Sequence, residues 1–215
     1  MPEILHVPAH TVAFPWLTPC SILVVGPTQS GKTWVTKRII RERKKMFLPA
    51  PQSVLYAYSA WQDAYNDMTD VTFHRGLPTS SQLKPNSLVI LDDVMQEATS
   101  SPDVLKLFTV DVHHRNISIL FLLQNLYFQS RFLRTLNLNS QYLMLFGNKR
   151  DKLQMNVLAR QMYPGQTKYF MDSFEDSTSQ PHGYLVCDLH PTSDKRFQLR
   201  TKIFPRETPW VYLPL

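Results

Sequence analysis

Residues 26–33 read GPTQSGKT, and they directly follow the apolar run SILVV and open a segment with helical periodicity. Two glycines, Gly26 and Gly31, let the backbone curl so that several N–H groups converge on one anion. Pro27, Thr28, Gln29 and Ser30 complete the turn, and the helix behind it adds the positive end of its dipole. Lys32 has the charge and reach for terminal phosphates, and the Thr33 hydroxyl suits a Mg²⁺ ligand. This order of strand, glycine-rich loop and helix points to a bound nucleoside triphosphate. A chance match to the pattern would occur in about one sequence per hundred of this length.

A triphosphate site needs carboxylates, and LVILDDV (88–94) supplies two at the end of a second apolar run. Asp92 is placed to hold Mg²⁺ and Asp93 to polarise an attacking water. The alternative is a solvated strand end or a helix cap. Glu97 is a second candidate for the base.

Residues 117–124, ISILFLLQ, form a third such run and end in Gln124. The adjoining QNLYFQS resembles the recognition sequence of a plant-virus protease used to remove purification tags. Tag remnants lie near a terminus or between fused domains, and this stretch lies mid-chain. In the branch of phosphate-loop ATPases that works on polymers, a strand inserted between the loop strand and the acidic strand ends in a polar residue on the γ-phosphate or the lytic water. ISILFLLQ resembles that strand, which implies such a sensor role for Gln124. It could also simply cap a strand.

These residues require a scaffold. Strand-like runs at 21–26, 53–60, 87–93, 117–124 and 141–148 alternate with helical candidates at 32–47, 102–113, 130–137 and 151–162. The continuous apolarity of the last three runs suits strands buried on both faces. The expected fold class is therefore α/β, with a mostly parallel central sheet and helices on both faces. Residues 183–189 and 196–204 read as an antiparallel hairpin. Its second arm alternates Phe197, Leu199, Thr201 and Ile203 with the basic or polar Arg196, Gln198, Arg200 and Lys202. A single domain over 1–215 is expected, with a core at about 15–165 and the hairpin and tail at 166–215 as an appendage.

The chain has 215 residues, 43% of them hydrophobic and 19% charged, which indicates a globular protein. A net charge of +6 favours a polyanionic partner. Its two cysteines, Cys20 and Cys187, are too few for a disulfide scaffold and lack metal-ligand spacing. No secretory leader is expected from the N-terminal residues, and no apolar run approaches the ~20 residues needed to cross a bilayer. A soluble, intracellular protein without membrane insertion is the expectation. On the helix after the loop, Lys37, Arg38, Arg41, Lys44 and Lys45 share an arc of about 120°. That arc is read as either a solvated face or a binding surface. Arg115, just before the Gln124 run, and Arg150 in GNKRD are candidates for an arginine acting on a neighbouring subunit's nucleotide.

Taken in order, SILVVGPTQSGKT, YSAWQDAY, RGLPT, SLVILDDVM, HHRNISILFLLQNLYF, LFGNKRD, LARQMYPG and the hairpin GYLVCDLHPTSDKRFQLRTKIFP resemble the genome-packaging ATPases of the FtsK–HerA superfamily. The likeness is to the poxvirus type carried by Polinton-like elements and related double-stranded DNA viruses. It covers about residues 15–205. It implies a P-loop NTPase of the additional-strand branch, an ATP- and Mg²⁺-dependent ATPase that drives double-stranded DNA into a capsid. It further implies a homo-oligomeric ring, a capsid or portal-vertex partner, and work at a nuclear, cytoplasmic or virion-associated assembly site. Lys149 stands where proline is expected in much of that group. The different-class alternative is a small-molecule or nucleotide kinase, which should carry an arginine-rich lid; none is evident. A third is a nucleotide-gated assembly protein with negligible turnover.

Overall fold

A computed structural model describes residues 2–6, 14–94, 114–127 and 131–214. The first half runs β1 (Glu3–His6), β2 (Trp16–Leu17), β3 (Ser21–Val25), α1 (Lys32–Met46), β4 (Phe47–Leu48), β5 (Ser53–Tyr58), β6 (Thr72–Arg75) and β7 (Ser87–Asp92). The second runs β8 (Ser118–Leu123), α2 (Arg131–Asn139), β9 (Tyr142–Phe146), α3 (Leu153–Met162), α4 (Thr167–Ser177), β10 (Tyr184–Asp188), β11 (Leu199–Thr201) and β12 (Trp210–Leu213). The helix expected at 102–113 lies outside the described residues, as does Glu97.

Among the described residues, ten strands form one sheet in the order β1-β12-β11-β10-β9-β3-β8-β7-β5-β6. From β9 to β6 all neighbours are parallel, and from β9 through β1 they alternate antiparallel. The fold is the expected α/β class with a mostly parallel sheet. Every residue of β7, β8 and β9 is buried, which explains why these runs carry almost no polar residues. The exceptions, Ser87, Ser118 and Asp92, stand at strand ends.

Alternate residues of the same strands feed two cores. Ile22, Val24, Ile90, Leu120 and Leu122 pack with Val35, Ile39, Ile40 and Met46 of α1 on one face. Leu23, Val25, Leu91, Phe121 and Leu123 pack on the other with Leu158 of α3 and Phe170 and Phe174 of α4. Arg43 of α1 lies among the apolar positions of the helix and is itself buried, its guanidinium donating to the Ile40 carbonyl at 2.8 Å.

The C-terminal strands correct one sequence expectation. Residues 195–197 form a 3₁₀ turn, so the alternation expected from Arg196 to Lys202 holds only for β11. No basic face results. Arg196 pairs with Asp194, Lys202 covers the Trp210 ring, and Arg200 is buried against Asp188 at 2.6 Å. A desolvated ion pair contributes little net stability when intact but costs heavily when one charge is removed. Asp188→Ala should therefore lower unfolding free energy by about 3–5 kcal/mol, read as a drop in urea midpoint. A midpoint unchanged from the parent would show that Arg200 finds water or another partner.

Residues 124–127, the start of the tag-like stretch, belong to the fold. Leu126 is buried in the core with its N–H donating to Gln154 Oε1, and the Tyr127 hydroxyl donates to Gln161 Oε1.

Candidate functional site

In a parallel sheet, the loops following the strands gather at one end. Here those after β3, β7 and β8 meet around a cleft of about 420 Å³. Thr28, Gln29, Gly31, Lys32, Thr33, Asp92, Asp93 and Gln124 all line it. Gly26, Pro27 and Ser30 form the rest of the loop. Gly31 has φ of 108°, a conformation that a side chain would strain, and Gln29 has φ of 65°. Gly26 N–H donates to the Leu123 carbonyl at 3.0 Å, which ties the loop's first residue to the end of β8. Gly31 caps α1 without any side-chain hydrogen bond, and the N–H groups of Gly31, Lys32 and Thr33 have no acceptor among the described residues. Ser30 Oγ is also buried without a partner among the described residues. These open donors suit a polyanion.

Lys32 Nζ donates to the carbonyls of Gly26 and Pro27 at 2.6 and 2.8 Å, which holds the ammonium over the loop. Burial lowers its pKa, and the charges of Asp92 and Asp93 oppose that shift. It is the only lysine or arginine among the described residues lining the cleft.

Asp92 ends β7 and is buried, and its Oδ2 accepts hydrogen bonds from the hydroxyls of Tyr56 at 2.6 Å and Tyr65 at 2.9 Å. Neither tyrosine was identified as a site residue from the sequence. Burial raises the Asp92 pKa, the two phenols lower it, Asp93 raises it and Lys32 lowers it. An acid with a raised folded pKa adds stability below its unfolded pKa and loses that contribution as pH rises through the folded value. The ionised carboxylate is thus a standing cost that a cation would relieve. Its Oδ1 accepts no hydrogen bond among the described residues. No three acidic, histidine or cysteine residues there cluster as a metal cage. A single carboxylate with the Thr33 hydroxyl fits Mg²⁺, which takes few protein ligands and completes its shell with water and phosphate.

Tyr65→Phe removes one of the two phenols that favour the ionised form of Asp92. The acidic limb of any ATPase pH profile should then move to higher pH, with little change on the alkaline side. An unmoved acidic limb would show that the Tyr56 bond alone suffices.

Asp93 follows with φ of 56° and is exposed in the cleft, free of the phenols that hold Asp92. Between these acids and the loop stands β8. Its register pairs Leu122 with Asp92 on one side and Leu123 with Val25 on the other. Gln124 therefore emerges between the acidic strand and the phosphate loop. This inserted strand is the arrangement expected from ISILFLLQ.

The two arginines part company. Arg150 follows β9 at the loop end of the sheet and is exposed, though it does not line the cleft. Arg115 precedes β8, whose 6 residues at ~3.3 Å each place it about 20 Å from Gln124. It donates to Ser80 and cannot reach its own chain's cleft. Trp34, Gln62 and His182 also line the cleft and were not identified as site residues from the sequence.

Solved structures share this fold. The crystal structure of B204, the DNA-packaging ATPase from Sulfolobus Turreted Icosahedral Virus, aligns with a TM-score of 0.52 at 12% identity, covering 79% of this chain and 92% of that one. The chain has the fold of a viral packaging ATPase. The genome packaging NTPase B204 from Sulfolobus turreted icosahedral virus 2, in complex with AMPPCP, aligns at 0.50 and 11% identity, covering 79% and 92%. No protein-family model matches the chain. Uncharacterized protein L666 of Acanthamoeba polyphaga mimivirus is 22% identical over 125 residues, 49% of each chain, so the match spans about half the length of that curated relative. Among the described residues, no helix is long and apolar enough to cross a membrane.

Proposed function

We propose that this chain is an ATP-driven motor of the FtsK–HerA superfamily that moves double-stranded DNA into a capsid. The observation that carries the reading is the position of β8. It sits between the phosphate-loop strand and the acidic strand, and it presents Gln124 beside both. Kinases built on the same loop keep those two strands adjacent, so the strand order argues against the kinase alternative. The shared fold with B204 supports the packaging role.

In this reading the N–H groups around Gly31 and the Lys32 ammonium hold the phosphates. Thr33 and Asp92 hold Mg²⁺, which when bound neutralises phosphate charge. Asp93 accepts a proton from water, and Gln124 orients that water or reads the γ-phosphate. The +6 charge suits a DNA partner. Subunits form a ring that engages a capsid or portal vertex, and Arg115 or Arg150 completes the neighbour's site. The poxvirus-type, Polinton-like branch is the proposed affiliation, and a soluble protein at the site of capsid assembly is the proposed setting.

The deciding measurement is ATPase rate with and without double-stranded DNA, together with the mass of the assembly in ATP. A motor should show hydrolysis stimulated by DNA in a multimer. Hydrolysis indifferent to DNA, with phosphoryl transfer to a nucleoside or nucleotide, would establish the kinase instead.

A further inference from the structure

The cleft has a second half that the phosphate chemistry does not use. Asp92, Asp93 and Gln124 come from β7 and β8, on one side of β3. On the other side lies β9 and then β10, whose antiparallel pairing brings Tyr184 opposite Phe146 at the loop end of the sheet. The turn entering β10 therefore reaches the phosphate loop, and His182 sits in it. A triphosphate held at the start of α1 with its reactive end toward the acids directs its nucleoside toward this opposite side.

Two aromatic side chains meet there. Trp34 immediately follows Thr33 on α1 and is 46% exposed, unusual for so large an apolar ring. The His182 ring stacks on it with centroids 5.7 Å apart and planes at 23°. Both line the same cleft as the loop. The pair is also held in place. The Arg38 guanidinium lies 4.9 Å from the Trp34 centroid and 3.9 Å from that of Phe204, and it pairs with Glu207 at 2.7 Å. His182 has φ of 61°, and a Cβ added at Gly31 would come within 2.5 Å of its Nδ1. A Cβ at Gly183 would meet the Ser177 carbonyl at 2.5 Å. The histidine turn thus fits against the phosphate loop because Gly31 lacks a side chain, and against the end of α4 because Gly183 lacks one.

We propose that the Trp34–His182 surface is the nucleobase site, holding the base of the bound triphosphate by stacking. This rests on the nucleotide reading given above. Stacking on an aromatic surface tolerates any base, because every base has a π-face. The site should thus favour purines over pyrimidines through ring area rather than through hydrogen-bond readout.

The test is calorimetric titration of wild type, Trp34→Ala, Trp34→Phe and His182→Ala with ATP, CTP and inorganic tripolyphosphate, all with Mg²⁺. Trp34→Ala should weaken ATP by about 5- to 150-fold, the range for losing one base–aromatic stack, and leave tripolyphosphate unchanged. His182→Ala should shift ATP in the same direction by less. Trp34→Phe should retain most ATP affinity, and wild type should bind ATP more tightly than CTP. Undiminished ATP affinity in Trp34→Ala would overturn the site, as would equal losses for ATP and tripolyphosphate. Wild type binding tripolyphosphate as tightly as ATP would also overturn it while sparing the phosphate loop. If wild type bound neither, the nucleotide reading itself would fall.

Discussion

Mixing Arg115→Ala subunits with Lys32→Ala subunits should restore ATP hydrolysis that neither variant supports alone. An arginine supplied by a neighbour neutralises charge on the transferred phosphoryl group and contributes about 10³–10⁵ in rate, or roughly 4–7 kcal/mol of barrier. Arg115→Ala alone should lose that much turnover and keep its ATP affinity. The fold makes the test sharp. Arg115 stands at the far end of β8 from Gln124, so any effect on turnover has to come through another subunit or through the strand itself. In a mixed ring, a Lys32→Ala subunit still donates Arg115 to a neighbour whose loop is intact, and that interface regains a complete site. The same mixture with Arg150→Ala separates the two candidates, since Arg150 lies at the loop end and is exposed. Recovery with Arg150→Ala and none with Arg115→Ala, in rings shown to contain both subunits, would move the role to Arg150. Full activity in a monomer would remove a trans-acting arginine from the mechanism.

The parts of the site that were legible in the sequence are those fixed by local chain chemistry. GPTQSGKT has to curl after a strand, and Asp92, Asp93 and Gln124 sit where apolar runs stop. Apolar continuity alone located β7, β8 and β9 within one or two residues, because strands buried on both faces tolerate almost nothing polar. Relations between distant segments were not legible. Tyr56 and Tyr65 reach Asp92 across 36 and 27 residues of sequence. No spacing rule connects a phenol on β5 with a carboxylate on β7. His182 lies 152 residues from the Ser30 carbonyl it approaches at 3.4 Å. Its one local cue is the following Gly183. Helix α4 was missed because Thr167–Ser177 carries its apolar residues among serines and acids, and packing of Phe170 and Phe174 decides it. Arg200 misled for the opposite reason. In sequence it sits on a polar alternation, but Asp188 on the paired strand draws it inside.

In the proposed reading, the two phenols would also separate the roles of the adjacent acids. Asp92 is held by Tyr56 and Tyr65 with one oxygen left over, a geometry for a metal ligand that must not move. Asp93 is exposed and reaches the cleft from a left-handed backbone, so it can meet a water that Asp92 cannot.

Asp93→Asn should therefore bind ATP as the parent does and lose turnover by about 10²–10⁴-fold, the usual contribution of a positioned general base. Asparagine is the appropriate replacement because, like aspartate, it tolerates φ of 56°. Alanine there would add about 1–2 kcal/mol of backbone strain and blur the reading. The amide keeps the shape of the side chain and one acceptor oxygen, turns the other into a donor, and cannot accept a proton at neutral pH. Single-turnover hydrolysis, with ATP affinity measured separately, distinguishes the possible failures. Equal losses in affinity and turnover would mean that Asp93 shapes the cleft rather than acting on water. Turnover preserved in Asp93→Asn and lost in Glu97→Gln would transfer the proton to Glu97. In that case Asp93 would serve the metal's water shell beside Asp92, and the catalytic base would come from the segment following β7.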